Sequence, residues 1–190
     1  MKATTNIYIL TDTSLCMGRH TNRLQSTLIK TARALSFLKE KTELFVIGYN
    51  DKSCNLDPYR QIKTAGNPNL GEGLQYLKSV MRYVQKYNGK KTRSIFILHS
   101  SGNVLYGWDE PLKELFRMRE FAFGLRYVVS YAMPEKEAER AFNAFTDSPD
   151  RILPYFSESR LCSLVRQFQA LENKPAFRYN KGINPWRKES

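Results

Sequence analysis

The sequence predicts an α/β fold with a largely parallel sheet. Four apolar, β-rich stretches, at residues 7–10, 44–49, 94–98 and 121–130, alternate with segments of helical periodicity. The first three are apolar on both faces, as the central strands of a parallel sheet must be. The length of 190 residues suits one domain. We expect that domain to span residues 1–173 and a basic tail to span residues 174–190.

The first two strands are joined by a predicted helix over residues 21–39, whose leucines recur on one face. After the second strand, residues 50–63 are polar and contain Pro58, so we expect an edge hairpin or excursion there. The turn-rich segment that follows leads into a helix with Asn67 or Asn69 as N-cap. That helix is expected to end at Asn88-Gly89.

The second half of the chain continues the alternation of strands and helices. We expect helices over residues 109–118, 134–145 and 158–171, with a short strand over residues 152–155. Ser157 is the expected N-cap of the last helix. Phe177, Tyr179, Ile183 and Trp186 make the tail more apolar than a solvated end requires.

The composition is that of an ordinary globular protein, with 42% hydrophobic and 25% charged residues. No apolar run approaches the roughly 20 residues of a membrane span, and the first residues lack the apolar region of a secretory signal. The three cysteines have no CxxC spacing. Reduced thiols in a cytoplasmic protein with no membrane partner are the simplest expectation.

The net charge of +12 favours acidic partners, among them nucleic acid. Basic residues follow one another at helical spacing in the predicted helix and just beyond it, namely Lys78, Arg82, Lys86, Lys90, Lys91 and Arg93. A solvated helix face explains this pattern, and a stripe that contacts nucleic acid, together with the tail, is the alternative.

Three loops place small polar residues at the ends of strands or before a helix. They are Asp12-Thr13-Ser14-Leu15-Cys16, Gly66-Asn67-Pro68-Asn69-Leu70-Gly71 and His99-Ser100-Ser101-Gly102. In open α/β sheets, ligands collect at the carboxyl ends of the strands. We therefore expect the candidate partner-binding residues to be Asp12, Ser14, Cys16, Asn67, Asn69 and Ser101.

In these loops the chain resembles the von Willebrand factor A domain family. The first loop is similar to the family's D-x-S-x-S metal motif, with Cys16 in place of the second serine. G-N-P-N-L-G-E-G-L is similar to the family's G-G-T-x-L-G-x-A-L, with Pro68 in place of the metal-binding threonine. I-F-I-L-H-S-S-G is similar to the strand that ends in T-D-G, with Ser101 in place of the aspartate. Gly107-Trp108 and F-A-F-G-L fit later segments of the family.

The resemblance implies a Rossmann-like three-layer α/β/α fold with one antiparallel edge strand. It also implies a site for Mg²⁺ or Mn²⁺, which require oxygen ligands. Asp12 and Ser14 are the vestigial candidates for such a site, while Pro68 has no hydroxyl and the Cys16 thiol is a soft ligand. We therefore expect no cofactor and a degenerate metal site, with a cation-dependent ligand-binding domain as an alternative.

These loops lack the motifs of three kinds of catalytic or cofactor site. A hydrolase built on His99, Ser100 or Ser101 and Asp12 lacks a G-x-S-x-G elbow. A dinucleotide site needs G-x-G-x-x-G after the first strand, where Gly18 is the only glycine. Cys16 has no evident basic neighbour to activate its thiol. The sequence therefore predicts a non-enzymatic domain that binds another protein. By its resemblance to small bacterial proteins grouped with tellurium resistance, it is expected in a cytoplasmic stress-response or defence assembly.

Overall fold

The computed structural model describes residues 4–38, 41–88 and 92–170. Six strands form one sheet, and they span β1 (Thr4–Asp12), β2 (Thr42–Tyr49), β3 (Ser53–Asn55), β4 (Thr92–Ser100), β5 (Leu125–Ser130) and β6 (Ile152–Leu153). The helices are α1 (Thr21–Ser36), α2 (Leu70–Asn88), α3 (Asp109–Phe116), α4 (Arg119–Phe123), α5 (Lys136–Thr146) and α6 (Glu158–Ala170). Short 3₁₀ turns occupy Leu15–His20 and Pro149–Arg151.

The strand order across the sheet is β3-β2-β1-β4-β5-β6. Every pairing is parallel except that of β3 with β2, which places the antiparallel strand at one edge. The predicted excursion after β2 is therefore an edge hairpin. The central strand β1 carries Asp12 at its carboxyl end, directly opposite Tyr49 of β2.

Helices cover both faces of the sheet. Tyr8, Leu10, Phe96 and Leu98 point to the side of α2, α3, α4 and α5. The alternate residues, such as Ile7 and Ile97, point to α1 and α6. The molecule is thus a Rossmann-like three-layer α/β/α structure, which confirms the predicted fold class.

The predicted fourth strand over residues 121–130 was wrong in its first part. Phe121 lies in α4, buried against the rings of Phe96 and Phe116, and β5 begins only at Leu125. A Cβ on Gly124 would collide with the Phe96 ring and lie 2.9 Å from the Glu120 carbonyl oxygen. Glycine therefore allows the tight change from helix to strand. A short apolar run does not distinguish a buried helical turn from a strand.

The predicted helix N-caps agree with the structure. The Asn69 side-chain oxygen accepts a hydrogen bond from the Glu72 N–H at 3.2 Å, which fixes Asn69 and excludes Asn67 as the cap of α2. The Ser157 hydroxyl oxygen accepts one from the Arg160 N–H at 3.2 Å at the start of α6. The remaining bounds shift by one to three residues, and the predicted tail over residues 174–190 lies outside the described residues.

Candidate functional site

The three loops meet at the carboxyl edge of the sheet, around the buried carboxylate of Asp12. Its Oδ1 accepts a hydrogen bond from the Ser14 N–H at 2.8 Å. Its Oδ2 accepts two from Ser101, 3.1 Å from the N–H and 2.5 Å from the hydroxyl. Asp12 and Ser14 are fully buried, and Ser101 is 2% exposed. The carboxylate therefore joins the loops that follow β1 and β4.

Backbone hydrogen bonds hold the second loop against the first and against the segment after β4. The Leu15 N–H donates to the Gly66 carbonyl at 3.1 Å, and the Leu105 N–H donates to the Pro68 carbonyl at 3.1 Å. Gly66 has a φ of 68°, a left-handed conformation that glycine adopts without strain. We refer to residues 13–19, 64–69, 101–108 and 131–135 together as the rim loops.

The residues around Asp12 do not match the ligand set of a hard divalent cation. Pro68 is buried and offers only a carbonyl, which already accepts hydrogen bonds from the N–H groups of Leu70 and Leu105. Both oxygens of Asp12 face donors of the protein itself. Among the described residues, no three histidine, cysteine or carboxylate groups lie close enough together to hold a metal ion. The site fits a hydrogen-bonded carboxylate, and the absence of a cation stays a prediction.

Two buried hydroxyls near this carboxylate add to its environment. The Ser14 hydroxyl, where the resemblance puts a metal ligand, has no hydrogen-bond partner within the described part of the chain. Burial raises the pKa of Tyr49 well above its usual value, and the nearby Asp12 carboxylate adds to that rise. Tyr49 is therefore a neutral phenol at physiological pH.

The other predicted rim residues have separate roles. Cys16 is exposed on the first loop. Asn67 is exposed and donates from its backbone N–H and its side-chain amide to the Asp51 carboxylate, at 3.2 and 3.0 Å. Asn69 is the N-cap of α2. Of the six predicted residues, Asp12, Ser14 and Ser101 form one cluster, and Cys16, Asn67 and Asn69 border it.

His99 is buried on β4 beneath the rim loops. Its Nδ1 lies 3.1 Å from the hydroxyl of Tyr131, whose ring also contacts His20 and the Arg23 guanidinium. Neither Ser100 nor Ser101 is its hydrogen-bond partner, since the Ser101 hydroxyl donates to Asp12. His99 and these serines therefore do not form the hydrogen-bonded nucleophile–base pair that a hydrolase requires.

His99 makes the stability of the fold depend on pH. Burial lowers the pKa of His99 to about 3, while an unfolded histidine titrates near about 6.5. Between these values only the unfolded chain binds the proton, so we expect the free energy of unfolding to fall as pH drops below 6.5. The slope from this group approaches about 1.4 kcal/mol per pH unit.

The check is urea unfolding at several pH values between 7 and 4, with His99→Gln compared with the unaltered protein. The variant should lose that slope. His20→Gln is the matched control for the other histidine of the chain. Equal slopes in the unaltered protein and His99→Gln would show that His99 is not the titrating group.

The structure divides the predicted basic stripe. Lys78 forms an ion pair with Glu114 of α3 and is 20% exposed, so it joins two helices. Arg82 and Lys86 are exposed on α2, while Lys90 and Lys91 lie outside the described residues. Arg93 lies on β4, with its guanidinium over the ring of Phe168, on the α6 side of the sheet. The face opposite α2 therefore carries Arg93, and nucleic-acid binding through the stripe stays a prediction.

The rim loops also carry apolar side chains that were not among the predicted site residues. Four of them are exposed, Leu15 by 67%, Leu105 by 42%, Tyr106 by 82% and Met133 by 92%. Their signal in the sequence is weak because they lie in short apolar runs such as Val104-Leu105-Tyr106, and such a run does not show which of its side chains are exposed. Only the hydrogen-bonded loops bring them to one edge of the sheet.

Comparisons with known proteins extend to the fold and no further. No protein-family model matches the sequence, and no curated protein matches it significantly.

Among the described residues, no helix has the length and apolar character needed to cross a membrane.

Two solved structures of proximal thread matrix protein 1 from the mussel byssus are similar to this chain. Their TM-scores are 0.56 and 0.53, at 12% and 13% identity over 90% and 89% of this chain. This chain spans 46% of the length of that protein. Three domains of the type V pili tip protein Mfa5 from Porphyromonas gingivalis match with a TM-score of 0.42 and 16% identity, over 53% of this chain and 20% of theirs. At such identities the likeness to the mussel protein shows the α/β fold alone.

Proposed function

We propose that the chain is a protein-binding domain of the von Willebrand factor A type that does no chemistry. The residues that resemble the family's motifs, including Asp12, Pro68 and Ser101, come together at the carboxyl edge of the sheet, which supports the assignment. A bacterial cytoplasmic stress-response or defence assembly is the setting that the same resemblance suggests. The partner is another protein, which docks on the rim loops.

The observation that carries the proposal is the set of exposed apolar side chains on these loops. Scattered exposed apolar residues are common on protein surfaces, whereas a group at one edge is typical of an interaction site. The Leu15 N–H donates to the Gly66 carbonyl, and the Leu105 N–H donates to the Pro68 carbonyl. Gly66 and Pro68 belong to one loop, residues 64–69, so this loop holds Leu15 and Leu105 at the same edge of the sheet. A Cβ on Gly102 would lie 3.0 Å from the Met133 carbonyl oxygen, which places the loop after β5 beside the loop after β4.

The polar atoms of the rim favour the same conclusion. The hydrogen-bonding groups of Asp12 and Ser101 are turned to one another within the loops. The carboxylate is thus used to hold the loops in shape, and the exposed surface above it combines the apolar side chains with the opposite charges of Arg19 and Glu135. A partner with apolar anchors and a polar rim would be complementary to it.

The test combines Leu15→Ser, Tyr106→Ser and Met133→Ser in one chain and uses it as bait in a lysate of the source organism. We expect partners captured by the unaltered chain to be reduced at least about tenfold, the effect of losing interface anchors. Phe37→Ser is the matched control, because Phe37 is 86% exposed at the end of α1, at the opposite edge of the sheet.

Because the changed side chains are exposed, the melting temperature should stay within a few degrees of the unaltered protein. Partners that persist with the rim variant, or that disappear equally with Phe37→Ser, would contradict the proposed surface.

A further inference from the structure

The two helices on one side of the sheet, α1 and α6, carry far more cations than acids. They pack side by side, and their leucines share one apolar cluster with Ile7 and Ile97. Within Thr21–Ser36 and Glu158–Ala170 the single acid is Glu158. The Lys and Arg residues of these helices, which we call the α1/α6 face, are Arg23, Lys30, Arg33, Arg160 and Arg166. Helices α2 to α5, on the other side, contain acids and cations in equal number.

The cations of the α1/α6 face are all exposed, and within the described chain none of them forms an ion pair. On α1, Arg23, Lys30 and Arg33 fall within an arc of about 80°, at about 100° per residue. The Glu158 carboxylate accepts a hydrogen bond from the Tyr155 hydroxyl at 3.4 Å. The face therefore presents its positive charge to solvent.

The acids on adjoining segments compensate little of this charge. Asp57 pairs with Arg60 in the loop beside α1. Asp147 pairs with the buried Arg126, and Asp150 lies on the turn before β6, the last strand in the order of the sheet. A polyanion is therefore the complementary partner.

Two arginines of the face are held in place by aromatic rings. The Arg160 guanidinium lies 5.3 Å from the ring centroid of Tyr127 and 5.6 Å from that of Phe156, and it donates no hydrogen bond within the described residues. The Arg23 guanidinium lies 5.2 Å from the Tyr131 centroid and uses one nitrogen to donate to the Pro154 carbonyl at 3.0 Å. Both side chains keep N–H donors for a phosphate, and little freedom is left for binding to remove.

The side chains between the cations indicate which polyanion fits. They are short and polar, and the exposed ones are Asn22, Ser26, Ser159, Ser163 and Gln167. Such groups, with Arg and Lys, make most contacts to the phosphates and sugars of nucleic acid. The large exposed apolar side chains of the described chain lie outside both helices. The face thus lacks the apolar core of a protein interface, the apolar surface of a membrane-binding helix and the aromatic platform that stacks single-stranded bases.

We propose that the α1/α6 face binds the phosphate backbone of double-stranded DNA without reading its sequence. Packed helices have axes about 8–10 Å apart, close to the width of the B-DNA major groove, about 12 Å. The cations of α1 and of α6 can therefore contact phosphates on the two sides of one groove, whereas the major groove of duplex RNA is narrow. The rim loops lie at the carboxyl edge of the sheet, so this surface is distinct from the proposed protein-binding one.

Fluorescence anisotropy with a labelled DNA duplex of about two helical turns and the full chain tests the inference. We expect the affinity to fall at least about a hundredfold between about 50 and 200 mM salt, as release of counterions from five phosphates predicts. Lys30→Gln/Arg33→Gln should weaken binding at the lower salt at least about tenfold and reduce the slope of log affinity against log salt by about two.

Arg82→Gln/Lys86→Gln is the matched control, because it removes the same charge from exposed positions of α2. Its affinity should stay within about twofold of the unaltered chain. The melting temperatures of both variants should change by a few degrees at most, since all four side chains are exposed. Undetectable binding at the lower salt, or equal weakening in the two variants, would overturn the inference. Tighter binding to the single strand, to an RNA duplex or to phosphatidylserine vesicles would assign the face to that anion and overturn it as well.

Discussion

Replacing Arg126 by methionine is expected to lower the free energy of unfolding by about 3–5 kcal/mol, the cost of breaking a buried charge pair. Arg126 is 1% exposed on β5 and forms an ion pair with Asp147. Its guanidinium also donates to the Phe145 carbonyl at 2.8 Å and to the Gly124 carbonyl at 3.1 Å. It further donates to the Phe121 carbonyl at 2.5 Å. One side chain thus satisfies the ends of two helices.

The expected loss follows from the groups that methionine leaves behind. The carbonyls at the end of α4 and the Phe145 carbonyl in the last turn of α5 would have no replacement donor in the core, and the Asp147 carboxylate would lose its buried partner. Asp147 itself has a φ of 58°, so the same contact holds the left-handed residue that ends α5.

Denaturant unfolding with circular dichroism is the measurement, and Arg151→Met is the matched control. Arg151 pairs with the other oxygen of Asp147 at 3.2 Å but is 31% exposed. We expect that variant to cost less than about 1 kcal/mol, as surface ion pairs do. Similar losses in the two variants would mean that the carbonyl contacts of Arg126 contribute nothing beyond its charge.

Replacing Asp12 by alanine is expected to lower the free energy of unfolding by about 2–4 kcal/mol, because buried donors lose their acceptor. Three donors, the Ser14 N–H and the N–H and hydroxyl of Ser101, depend on this carboxylate. Asp51→Ala is the matched control, since the exposed Asp51 carboxylate also accepts two hydrogen bonds from a rim loop. That variant should cost less than about 1 kcal/mol.

The same pair of variants separates a hydrogen-bonding role of Asp12 from a metal-binding one. We expect the loss in Asp12→Ala to be equal with excess chelator and with millimolar Mg²⁺ or Mn²⁺. If Asp12 held a cation, a cation concentration of about a hundred times the dissociation constant would raise the free energy of unfolding by about 2.7 kcal/mol. The increase would occur in the unaltered protein and not in Asp12→Ala. A cation-dependent difference between the two proteins would overturn the hydrogen-bonding role.

Local patterns predicted most of the secondary structure. The strands at residues 7–10, 44–49 and 94–98 are apolar on both faces, and Asn69 and Ser157 cap helices as their side chains allow. These signals depend on residues within one turn or one strand, so they can be read from the chain in order. The prediction of a strand at Phe121 was wrong because the helical turn there is buried by packing against the rings of Phe96 and Phe116. That packing is not a local property of the sequence.

The candidate site was predicted in part. Asp12, Ser14 and Ser101 were expected at one edge, and the structure places them together. The sequence did not show that the Ser101 hydroxyl donates to Asp12 across 89 positions of the chain. The ion pair that removes Lys78 from the basic stripe joins it to Glu114, 36 positions away. Such partners are not visible in a periodic pattern.

By itself, then, the sequence determined that this protein is a parallel α/β domain and which of its loops lie at the carboxyl edge of the sheet. The reason is that burial on two faces and helix capping are local properties. Only the tertiary structure decided how the edge is used: Asp12 is bonded to its own loops, and Leu15, Tyr106 and Met133 are exposed above it. These features depend on which distant segments meet, and strand order with close packing decides that.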